Sequence, residues 1–172
     1  MSRDEQTTTD AGVVVRRLFD LFNEGDLGAA SALASDDFEL QDHAVGQSLR
    51  GRAGLREWLS VFKTAFPDAR AELVTEYVDG DRVATEHVGT GTHTGPFVTP
   101  AGTIPPTGRP VELRFAEFYV VEGEALRAMA AYYDTTSILR QLGLLPAAGG
   151  RSDRAMTGLM GLGVRARRAL RR

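Results

Sequence analysis

Residues 130–145, AAYYDTTSILRQLGLL, carry the change from strand to helix on which the fold of this chain turns. Just upstream, Val111 to Val121 and Leu126 to Tyr133 are rich in β-branched, aromatic and other apolar residues, as paired strands are. Glu122-Gly123-Glu124 punctuates them as a tight hairpin. Asp134 closes the second strand. Thr135, Thr136 and Ser137 offer an N-cap, and Ile138, Leu139 and Leu142 give an apolar helical face stopped by Gly143 and Pro146. Asp134 therefore has two readings. It is the cap of a short helix, or it is a general base for a carbon acid, set beside two tyrosines behind an apolar strand.

Outward from this stretch, Ala69 to Val78 and Arg82 to Thr94 read as two long strands joined by a turn at Asp79-Gly80-Asp81. Strands of this length bend, and Gly89 and Gly91 are expected kinks where curvature opens a concave face. Gly95-Pro96 begins a proline- and glycine-rich loop that runs to Val111 and suits a lid. Nearer the N-terminus, Val14, Leu18, Leu21 and Phe22 recur at helical spacing up to Gly25, and Asp26 caps a second helix over Leu27 to Ala34. Phe38 to Gln41 alternates like a strand, Asp42 to Gly51 is turn-like, and Leu55, Trp58, Leu59, Phe62 and Phe66 form a third helical stripe. The order is α+β, with helices against one face of a curved sheet.

At 172 residues and 42% hydrophobic content the chain suits one domain, expected over 10–145, after a disordered start at 1–9. Residues 146–172 read as a linker and a basic, poorly structured or weakly helical tail, in which Met156, Leu159, Met160 and Gly163 make only a short row. The tail from Arg151 holds seven arginines and one aspartate, so with a net charge of −3 overall the preceding part carries −9. An acidic body argues against nucleic acid as a partner and leaves the basic tail as the only feature that would draw the chain to a membrane. Cysteine is absent, which excludes thiol nucleophiles and cysteine-ligated metal. With no apolar run of spanning length and no signal-like start, a cytoplasmic protein is expected.

The runs FPDARAEL (66–73), GTHTGPF (91–97), IPPTGRPVEL (104–113) and YYDTTSILRQLGL (132–144) together resemble the SnoaL-like polyketide cyclases, or ester cyclases, of the NTF2-like superfamily. The resemblance implies a cone-shaped domain whose curved mixed or antiparallel sheet packs on the N-terminal helices around a cavity. It implies a homodimer, a hydrophobic or aromatic small-molecule substrate, and cofactor-free acid/base chemistry: proton abstraction α to a carbonyl, or aldol cyclisation of a polyketide-type substrate. The family's acid/base aspartate falls on Asp134. The superfamily also holds isomerases, dehydratases, epoxide hydrolases, cofactor-free hydroxylases and binding proteins without catalysis, so these stand as alternatives. Ala130 replaces a tryptophan common in the family and Val120 an arginine, which implies a wider cavity.

His87 and His93, six apart on one strand, are expected to mark the two ends of a groove floored by Gly89 and Gly91, with His93 as second catalytic group beside Asp134. His43 follows the first strand, where the resemblance implies a histidine beside the pocket mouth. Glu117 is a charged residue in an apolar strand. It either faces the cavity as a neutral or hydrogen-bonded acid or lies on the solvated face, and Tyr119 shares its face. Tyr132 should share the face of Asp134, and Tyr133 the opposite one. Trp58 and Phe62 are expected to line the pocket. No metal site is expected, since no histidine pair has helical ligand spacing.

Overall fold

The computed structural model describes residues 10–155, 157 and 158. The expected disordered start and the Met156, Leu159, Met160 and Gly163 row lie outside the described residues. Two helices, α1 (Ala11–Glu24) and α2 (Leu27–Ala32), precede strands β1 (Ala34–Asp42) and β2 (Gln47–Arg50). Helix α3 (Gly51–Ala65) leads to β3 (Arg70–Asp79), β4 (Arg82–Thr92), a small hairpin of β5 (Phe97–Thr99) and β6 (Gly102–Ile104), then β7 (Pro110–Glu122), β8 (Ala125–Tyr133) and α4 (Thr135–Gln141).

The six long strands form one sheet in the order β2-β1-β8-β7-β4-β3, antiparallel except for β1 beside β8. Register shifts in β1, β3 and β8 bend it. Its concave face takes the apolar stripes of α1 and α3, burying Leu18, Phe38, Leu55 and Leu126 to 2% exposure or less, each worth about 1.5–3 kcal/mol. Close approach of α3 to the end of β4 depends on glycine. A Cβ on Gly95 would stand 1.9 Å from the Thr64 carbonyl oxygen, and one on Gly91 2.9 Å from Phe66 Cβ.

Several expectations change here. Helix α2 is shorter than read, β1 is longer at both ends, and the stretch read as a turn contains β2. The lid-like loop contains the β5–β6 hairpin and is tied down at both ends of its return, since His93 N–H donates to Arg109 O and Gly108 N–H to His93 O, each at 2.9 Å. Helix α4 is fixed by Gln141, whose amide oxygen accepts from Glu112 N–H at 2.9 Å while its amide nitrogen donates to Glu112 O at 2.7 Å. That side chain takes the place of a strand neighbour where β8 has already turned away from β7. Beyond Pro146 the chain returns to helix over 151–155, where Asp153 lies 3.7 Å from Arg140.

Candidate active site

The cavity lies between the concave sheet face and the helices, with a volume of about 100 Å³. Helix α1 contributes Phe19 and Phe22, α3 contributes Trp58, Phe62 and Phe66, and α4 contributes Ile138. From the sheet come alternate residues of β7, Val111, Leu113, Phe115, Glu117 and Tyr119, together with Tyr133 of β8. Period-two alternation sends all five β7 side chains inward and leaves Phe118 outside.

Two buried carboxyl groups belong to this region, Glu117 in the cavity wall and Asp42 bonded to the lining residues Trp58 and Tyr133, and the protein accommodates them differently. Asp42, 1% exposed, is held by four donors: Trp58 Nε1 at 2.9 Å and Tyr133 Oη at 2.7 Å on one oxygen, the backbone N–H of Ala44 at 3.0 Å and Val45 at 3.3 Å on the other. Glu117, also 1% exposed, accepts from Tyr119 Oη. Burial and the nearby negative charge of Asp42 push the Glu117 carboxyl up to about 8, so it is mainly protonated at neutral pH despite the opposing Tyr119 hydrogen bond. Burial and the two carboxylates raise Tyr133, and burial and Glu117 raise Tyr119, so both phenols stay neutral donors.

The open question about Glu117 resolves inward, together with Tyr119. Trp58 and Phe62 line the cavity as expected from the sequence. Asp134 does not. It is exposed, its carboxylate accepts from Ser137 N–H at 3.1 Å as the N-cap of α4, and it is not part of the cavity wall. Tyr132 and His43 also lie outside, stacked on each other at 4.6 Å on the opposite face of the sheet, because parity on β8 turns Tyr133 inward and Tyr132 outward. The register that places Ala130 opposite Phe118 puts Ala130 and Val120 on that same outer face, so they shape an external trough lined also by Tyr77 and Ala128 rather than a wider cavity.

The two histidines do not bracket a groove. His87 is sandwiched between the Phe19 ring at 3.7 Å and the Phe115 ring at 5.1 Å, with Nδ1 buried and unpartnered, and burial lowers it to about 4. His93 lies beyond the end of β4. Thr107 N–H donates to its Nδ1 at 3.2 Å, which leaves the ring proton on Nε2, and burial lowers its pKa. Gly89 and Gly91 still line the cavity, but the space over them is taken by Phe115 and Phe66. Among the described residues no group of three His, Cys, Asp or Glu is placed to hold a metal ion.

Sequence reasoning missed Asp42 and Tyr133. The signal for Asp42 was present, since Phe38, Leu40 and Asp42 continue one alternation whose apolar members are fully buried. The signal for Tyr133 was its parity with Met129 and Ala131.

The fold matches known structures. AclR, a proposed hydroxylase from Streptomyces galilaeus, superposes with a TM-score of 0.70 at 21% identity over 81% of this chain and 89% of that one. A protein of ketosteroid isomerase-like fold from Catenulispora acidiphila gives 0.64 at 23% identity over 76% of this chain and 92% of that one. IdmH, a proposed polyketide cyclase from Streptomyces antibioticus, gives 0.65 at 28% identity over 77% and 98%. No curated protein sequence matches the chain. The family model for SnoaL-like polyketide cyclases matches residues 12–142, nearly all of the cavity-forming unit, and the chain belongs to that family.

Proposed function

We propose that the chain is an acid/base enzyme acting on a polyketide-type carbonyl substrate, with Glu117 as the group that takes and returns the proton. The observation that carries this is a single carboxyl, buried in an apolar cavity and shifted to about 8. A carboxylate with a raised pKa is a stronger base than one at its ordinary value, and catalytic bases work best with a pKa near the operating pH. In its ionised form Glu117 removes a proton α to the substrate carbonyl. The single phenol protons of Tyr133 and Tyr119 point to Asp42 and Glu117, so either hydroxyl donates to the charge that develops on the substrate oxygen only after turning from its carboxyl partner. The apolar wall excludes water while the enolate closes onto a second carbonyl or recovers its proton. Asp42, with both oxygens engaged, positions Trp58 and Tyr133 rather than reacting.

Asp134, the position that matches the family's acid/base aspartate, would need to leave its cap to reach the cavity, and His93 is held in the loop by Thr107. A second reading draws on the same fact: with Asp134 outside, the cavity suits a non-catalytic binder of aromatic ligands. Hydrogen–deuterium exchange at the α-carbon of aromatic β-keto esters, followed by NMR, separates the two. The enzyme reading expects accelerated exchange that Glu117→Gln abolishes. Ligand binding without exchange across the panel favours the binder.

A further inference from the structure

Each indole or phenol hydrogen in the cavity wall points to a carboxyl group: Trp58 Nε1 and Tyr133 Oη donate to Asp42, and Tyr119 Oη donates to Glu117. Thr85, directly opposite Glu117, turns its hydroxyl to the Glu117 carbonyl oxygen at 3.5 Å. An oxyanion formed beside Glu117 therefore finds these donors already engaged. His87 is an uncommitted one. It shares the parity of Thr85 and of the cavity-lining Gly89 on β4, and its register partner is Phe115 of β7. His87 and Glu117 are thus diagonal neighbours on the inner face, about 7–8 Å apart at the backbone. His87 is 1% exposed and its Nδ1 is buried without a partner, an arrangement that costs stability until a ligand supplies one.

We infer that His87 is the oxyanion donor of the site, its imidazole N–H donating to the substrate's carbonyl oxygen while Glu117 takes the proton from the adjacent carbon. The inference rests on the proposed role of Glu117. The gap between the two side chains holds one α-carbon and its carbonyl oxygen, each within hydrogen-bond reach of its partner. Burial lowers the imidazole to about 4, so at neutral pH the ring is uncharged, and it donates a hydrogen bond without giving its proton up. No partner on Nδ1 fixes the tautomer, which leaves the ring proton free to sit on the nitrogen that faces the oxygen. His87 is not itself in the cavity wall, but the two rings that sandwich it, Phe19 at 3.7 Å and Phe115 at 5.1 Å, are. At about 100 Å³ the cavity is smaller than the roughly 300 Å³ at the low end for organic ligands, so a substrate displaces part of the lining. Phe115 is seated over Gly89, where a Cβ would stand 3.1 Å from its Cε1. Phe19 is half-buried on α1, and its rotation uncovers the imidazole.

NMR of the full chain with isotopically labelled histidine nitrogens tests this, with 2-acetylnaphthalene as the ketone probe and 2-ethylnaphthalene as a probe of similar outline without the oxygen. The His87 resonances are identified by their loss in His87→Phe. The imidazole N–H proton is expected to move downfield with the ketone and not with the hydrocarbon. In the α-exchange assay His87→Phe, which keeps a ring between Phe19 and Phe115, should lose about 10²–10³-fold in kcat with KM nearly unchanged, and His87→Gln, which keeps an N–H, should retain part of the rate. Equal shifts with the two probes, no shift with either, or full kcat in His87→Phe overturns the donor. The shift reads the hydrogen bond without catalysis. A downfield proton in a chain that exchanges no α-hydrogen would therefore sink the base assignment and leave the His87 contact standing, and loss of exchange in Glu117→Gln without any shift would do the reverse.

Discussion

The deep end of the cavity and the β8–α4 junction each hold a carboxyl group near a tyrosine, and they differ in what surrounds it. At the junction, Asp134 faces water, and its hydrogen bond to Ser137 N–H does the work of a helix cap. At the deep end, Glu117 is cut off from solvent, accepts from Tyr119 and feels the charge of Asp42. Chemical identity is nearly the same in the two places. What separates a cap from a candidate base is the strand register that decides which side of the sheet a residue faces.

The largest expected effect breaks this comparison directly. Glu117→Gln should lower kcat by about 10²–10⁴-fold, the usual contribution of a general base, whereas Asp134→Asn, which keeps a capping oxygen, should leave kcat nearly unchanged. Steady-state kinetics on a substrate found by the exchange panel checks both. The reverse ranking would mean that Asp134 leaves its cap during turnover.

The second effect is on assembly. The outer sheet face exposes Tyr77 at 71%, Phe118 at 53% and Tyr132 at 44%, around a trough of small residues that includes Val120 and Ala130. Such a patch is expected to be covered by the same face of a second copy. Phe118→Asp should convert a dimer to a monomer in sedimentation at micromolar concentration, and a wild-type monomer under those conditions contradicts the expectation.

Two opposite pH dependences of stability sharpen the comparison further. Glu117 has an ordinary value of 4.5 and about 8 when folded, so from pH 4.5 upward the unfolded chain releases a proton that the folded chain keeps. Its contribution therefore makes folding progressively less favourable from about pH 4.5 to about 8, and Glu117→Gln removes that slope. His87 falls from 6.5 to about 4, so below pH 6.5 the unfolded chain takes up a proton that the folded chain refuses. Stability is lost as pH falls from 6.5 to 4, and His87→Phe, stacked between Phe19 and Phe115, should abolish that loss. Urea titrations at several pH values measure both slopes. The smallest effect belongs to the junction: Asp134→Ala should cost about 1 kcal/mol through loss of the cap.

Most of the fold was legible because it rests on long periodic segments. The stripes of α1 and α3, the hairpins β3–β4 and β7–β8, and the Asp134 junction follow from alternation, turn residues and caps. The site was harder to read. Glu117 and Tyr119 could be paired but not assigned a face, because a strand with apolar residues on both sides gives parity without direction. Asp42 was hidden by its polar neighbours, which resemble a turn, although its four donors come from α3, β8 and the backbone after β1. Those partners meet only when β1 docks parallel to β8, a non-local pairing with no local signature.

Infrared difference spectroscopy between the wild type and Glu117→Gln, across a pH titration, tests the assignment of Glu117 most directly. A protonated carboxylic acid carbonyl band at pH 7, present only in the wild type and disappearing with a midpoint near 8, is the predicted result. A band of ionised carboxylate alone at pH 7 would contradict it, because Glu117 would then hold the ordinary carboxylate value and not the raised one on which its assignment as the base rests.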